Sequence, residues 1–170
     1  MRWTLDEFEV DLVRTLVTSL ADVLEGRDPR DAAVQRLFPA TVVGDDEADA
    51  ELRGLIHDDL AGVKRAGLTA LGGLLDGATR KGSLLRVELT PDDTLLVLGV
   101  LNDLRLAIGA RIAIEDLDRD DVDPDSALGY RLAVMDHLGL WQELLLAIVD
   151  PPAVRIHDLD VEVPDDPRDA

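Results

Sequence analysis

Asn102, Arg105 and Gly109 stand at i, i+3 and i+7 in a stretch whose other residues are nearly all aliphatic, Leu95 to Ile112. A guanidinium offers a planar fork of donors and an amide offers both donors and an acceptor, so this pair of side chains suits a carboxylate or a similar anion. Asp59 supplies a third polar group. On its own helical stretch it falls within the arc of Leu52, Leu55, Val63 and Ala70, whereas Asp58 points away. An acid on an apolar face needs a partner, and Arg105, with Asn102 as an added donor, is the best one in the chain. The cluster Asp59, Asn102 and Arg105 then has two readings. It is interior wiring that fixes the fold, the fate of most buried polar groups; or it is a site that holds a small anion, in an enzyme or a ligand binder. A catalytic version would use Asp59 as a general base, but no nucleophile is positioned beside it.

The second chemically suggestive stretch is Glu115 to Asp125, with seven acids in eleven residues. Asp116, Asp118 and Asp120 open it like a calcium loop, but Asp121 replaces the glycine of the turn and Ala127 the bidentate glutamate. The three histidines, His57, His137 and His157, are far apart and lack the spacing of a zinc motif. With no cysteine there is no thiolate, disulfide or thiol sensor. No phosphate-binding glycine loop and no nucleophile elbow occurs. The expectation is a protein that is not an enzyme, with no metal and no cofactor.

Charge sets the class of partner. Thirty-six acids against seventeen basic residues give −19, a field that repels nucleic-acid backbones and acidic headgroups. Neither direct nucleic-acid binding nor membrane binding is expected. The charge serves solubility, a basic protein partner, or both, with Asp116, Asp118, Asp120, Asp121 and Asp123 as the candidate partner surface; a homodimer is compatible with the same sequence.

These residues must be positioned by helices. Thr4 and Glu7 have capping-box spacing, after which Leu5, Phe8, Leu12, Leu16, Leu20 and Val23 recur at helical intervals up to Gly26. Asp28 and Pro29 read as a cap and first position for a short helix ending before Pro39. Ala40 to Gly44 reads as a loop, and Asp45 or Asp46 caps a third helix running to about Leu75, whose glycines 62, 67, 72 and 73 imply close contacts or a break. Leu84 to Leu89 is short and extended, strand or loop. Thr90-Pro91-Asp92-Asp93 opens the central helix, apolar on nearly every side and therefore a core element. Ser126 to Val149 reads as two helices or a kinked one, broken near Asp136 to Gly139, with Tyr130 and Trp141 in the core. The fold expected is an all-α, single-domain bundle of five or six helices over 1–150, followed by an acidic, proline-containing mobile tail over 151–170. The N-terminus lacks a signal-peptide run and no window reaches the length of a membrane span, so a cytoplasmic location is expected.

Several short motifs occur in a characteristic order: Arg36-Leu37-Phe38-Pro39, an acidic run before Leu52-Arg53, Thr90-Pro91, Leu101-Asn102-Asp103-Leu104-Arg105-Leu106 with Gly109 and Arg111, then Leu138-Gly139 and Trp141-Gln142. Together, over Leu5 to Val149, they resemble the actinobacterial AosR family of oxidative-stress-sensing regulators. The resemblance implies a helical protein that regulates transcription by binding a sigma factor or RNA polymerase, linked to cysteine biosynthesis. A switch built on an N-terminal cysteine pair is excluded here, because this chain has no cysteine. An adaptor in regulated proteolysis would carry the same features.

Overall fold

A computed structural model describes the backbone of residues 1–39 and 46–149, and the side chains of those stretches except at 46–56. The expected 40–44 loop, the capping role of Asp45 and the 151–170 tail lie outside the described residues. The element order is β1 (Arg2–Asp6), α1 (Glu7–Gly26), α2 (Ala32–Leu37), α3 (Asp46–Asp76), β2 (Thr79–Lys81), β3 (Leu84–Glu88), α4 (Pro91–Arg111) and α5 (Ala127–Val149), with two short 3-10 turns, Ile114–Asp116 and Arg119–Asp121, between α4 and α5. This is a mostly helical single domain of five helices with a small sheet added.

α4 is the centre, as its sequence requires. Thr90 caps it reciprocally with Asp93: the Thr90 hydroxyl accepts from the Asp93 N–H at 3.1 Å and the Asp93 carboxylate accepts from the Thr90 N–H at 2.9 Å, with Pro91 in the first turn. Val97, Leu101 and Leu104 are buried, and the helix packs against α1, α2, α3 and α5. It is not enclosed all round, since Leu95 stays exposed.

The mostly helical expectation holds, and a small sheet is added to it at the N-terminus. Trp3 and Leu5 alternate inward from a strand, not from the start of a helix. β3 is the middle strand of an antiparallel β1-β3-β2 sheet, with Arg2 opposite Glu88 and Asp6 opposite Leu84, and Gly82 at φ 65° makes the tight turn between β2 and β3. The capping box of α1 is Asp6 with Glu9, both bonds 2.8 Å, two residues later than the Thr4 and Glu7 spacing suggests. The strand wins because β3 offers a full ladder, while α5 receives Trp3, whose ring meets Trp141 edge-on at 5.4 Å. Similarly, α2 is capped by Asp31, which accepts from the Ala33 N–H, while Asp28 only closes the preceding turn onto the Arg30 N–H.

α5 runs as one helix from Ala127 to Val149, so it is not divided into two near Asp136 to Gly139. Its inner face buries Leu138, Trp141 and Leu145, and its outer face exposes Tyr130, Leu140, Leu144 and Ile148; Tyr130 is thus not a core residue. Contrary to the sequence expectation, α5 is long and apolar enough to cross a membrane by length and composition, though its inner face is packed within the domain.

Candidate functional site

Successive residues of the Leu101 to Arg105 motif leave α4 toward different neighbours. Leu101 and Leu104 enter the core, Asp103 turns to α3, Arg105 to α5, and Asn102 is exposed. The expected Asp59–Arg105 pair is not formed. Asp59 is exposed, and Arg105 instead donates through Nη1 to the Gln142 Oε1 at 2.7 Å. The pairing fails because α3 presents a different stripe: Ala61, Leu68, Leu71 and Leu75 are buried, with Lys64 in register among them, whereas Leu60 and Val63 face outward. Lys64 donates to Asp103 at 2.7 Å, and the two side chains are only 15% and 16% exposed. An interior ion pair between α3 and α4 therefore exists, but with other members than the sequence reading names: Lys64, five residues beyond Asp59, and Asp103, two residues before Arg105.

Asn102 and Arg105 nevertheless share a site. Both line an open cleft of about 480 Å³ between α2, α4 and the first 3-10 turn, which Gln35, Arg36, Glu115 and Asp116 also line; Asp59 is not part of it. Its floor is Leu106, Ile114 and Met135. Gly109 makes that floor dense, because a Cβ there would lie 3.3 Å from Ile114 Cγ2. Gly139 has a matching purpose on α5: the Arg105 guanidinium occupies the space beside it, 3.4 Å from where a Cβ would be. Arg111 grips Asp31 at 2.5 and 3.2 Å, tying the end of α4 to the start of α2. This bond, the largest influence on Asp31, holds its carboxyl below the usual range, and the Arg111 guanidinium is raised in turn.

The acidic segment flanks the cleft. All five candidate partner residues, Asp116, Asp118, Asp120, Asp121 and Asp123, are exposed. The segment is nonetheless held in shape: Ile114, Leu117 and Val122 pack on a small second core of Ile112, Leu132 and Met135. Asp118 accepts from the Asp120 N–H and Asp123 from the Asp125 N–H, so these two carboxylates also serve their own turns. Gly129 lets α5 approach this segment, since a Cβ there would sit 2.4 Å from the Asp123 carbonyl oxygen. Among the described residues no group of three acids or histidines is arranged to hold a metal ion.

A family model described as a domain of unknown function (DUF2017) matches residues 1–149. Comparison with curated proteins and with solved structures gave no match.

Proposed function

The chain belongs to the DUF2017 family, and from there we propose that it is a regulatory interaction protein, not an enzyme, whose acidic segment docks a basic protein partner. The observation that carries this reading is the shape of that segment: five exposed aspartates on a backbone fixed by turns and by Ile114, Leu117 and Val122. A charged surface that is already ordered loses little entropy on binding and steers an oppositely charged partner. With a net charge of −19 such a face suits a basic protein better than anionic lipid or nucleic acid. The motif order resembling the AosR family points the same way, toward a sigma factor or RNA polymerase in the cytoplasm.

The test is affinity capture with the full chain against a variant in which Asp118, Asp120, Asp121 and Asp123 are all changed to Asn. Asparagine keeps the acceptor oxygens that the two turns use, so folding is retained while four charges are lost. The reading requires a partner rich in Lys and Arg at its contact face that is retained by the parent chain and lost or strongly reduced with the variant. A partner captured equally by both would contradict it.

A further inference from the structure

We propose that the cleft beside Asn102 and Arg105 receives a small zwitterion of the α-amino-acid class, its carboxylate on Arg105 and Asn102 and its ammonium group at Glu115 and Asp116. The inference goes beyond partner docking and starts from Arg105. Its side chain is half-buried, and among the described residues its only hydrogen-bond acceptor is the neutral Gln142 and its buried Nε has no partner. Among the described residues no carboxylate lies within 4.0 Å of it, although other arginines of the chain, at 2, 14, 27, 36, 80, 111 and 119, are each paired with an acid. A partly buried charge left without a counter-ion in a chain with an excess of acids is poised for a carboxylate from outside.

The same cleft carries the complementary charge in Glu115 and Asp116, and the backbone bends just before them. α4 ends at Arg111, and Ala113 then takes a left-handed conformation at φ 49°, after which the turn Ile114–Asp116 lines the cleft. For a residue with a Cβ that conformation costs about 1 kcal/mol, and strain of this kind gathers at ligand sites. Glu115 is held only loosely, 3.5 Å from an exposed Arg36, so an incoming ammonium can take it at little cost. Leu106, Ile114 and Met135 give the ligand's side chain an apolar floor, and about 480 Å³ lies within the usual range of small-molecule sites. The molecular charge selects the zwitterion: a field set by −19 opposes a ligand with net negative charge but not one whose charges cancel.

Isothermal titration of the full chain with each standard amino acid tests this. At least one should bind saturably with a Kd below about 1 mM. For that ligand, the analogue lacking its amino group and the analogue lacking its carboxylate should each bind at least about tenfold more weakly. Arg105→Lys, which keeps the charge but not the fork, and Asn102→Ala, at an exposed position outside the core, should each weaken binding several-fold at unchanged circular dichroism. The proposal is overturned if no amino acid binds at about 10 mM, if the deaminated acid binds as well as its parent, or if neither substitution alters affinity. None of these readouts depends on a protein partner, so the two proposals fail separately.

Discussion

Lys64 and Asp103 form the most enclosed ion pair among the described residues, and their energetics differ from those of the exposed pairs around them. Removing one member leaves the other charge partly buried and unpaired, so Lys64→Met should destabilise by about 2 to 3 kcal/mol, between the values typical of exposed and fully buried pairs. Asp59→Asn, on an exposed face, should change stability by less than about 0.5 kcal/mol. Urea denaturation of the two variants decides the matter, and equal losses would mean that Asp59, not Asp103, faces the interior. Asp31 provides a pH-dependent counterpart. Its carboxyl is depressed in the folded chain chiefly by the Arg111 hydrogen bond, so its contribution is present above the unfolded carboxylate value and is lost as the pH falls through the folded one. Asp31→Asn keeps an acceptor for the Ala33 N–H but not the ion pair. The parent should therefore be more stable than the variant near neutrality, and the gap in melting temperature should close below about pH 4. At this scale the sequence showed that the Asn102 to Arg105 stretch carries polar wiring, but not its partners. Arg105's acceptor is an amide thirty-seven residues away, and Lys64 is concealed in an otherwise apolar stripe, where its alkyl stem packs like an aliphatic side chain.

Helix boundaries with local signals were legible: the start of α4 at Thr90-Pro91 and the end of α1 near Gly26 need only neighbouring residues to define them. Elements decided by distant partners were not. β1 depends on β3, eighty residues later, and without that mate the same residues satisfy a capping-box spacing. The supposed break in α5 illustrates the reverse error. Gly139 weakens a helix in isolation, yet here it is the space that the Arg105 guanidinium fills, so the helix continues. Gly129, by contrast, carries a constraint that no local pattern announces. A Cβ at this position would meet the Asp123 carbonyl oxygen at 2.4 Å and the Pro124 carbonyl oxygen at 2.6 Å, both backbone atoms that cannot step aside alone. Gly129→Ala should therefore destabilise by about 2 kcal/mol despite the better helix propensity of alanine, whereas Gly72→Ala, with open space around it, should be neutral or stabilising. Thermal unfolding of the pair checks this, and a stable Gly129→Ala would show that the acidic segment is not seated on α5.

For the whole molecule, composition was a sound guide to class: 46% hydrophobic residues over 170 positions suffice for one well-filled domain. What composition could not supply was the distribution of the −19 charge. Among the described residues several acids enter exposed ion pairs and caps, while the ordered segment beside the cleft carries five exposed aspartates close together. Rim charges of this kind act on encounter more than on residence. With a partner captured as described, the most direct test is the association rate constant measured against ionic strength for the parent chain and for the fourfold Asp→Asn variant. The account predicts that the parent's rate falls as salt rises, that the variant associates about tenfold or more slowly at low salt, and that the two converge at high salt with similar dissociation rates. Equal association rates at low salt, or a parent rate indifferent to salt, would contradict it.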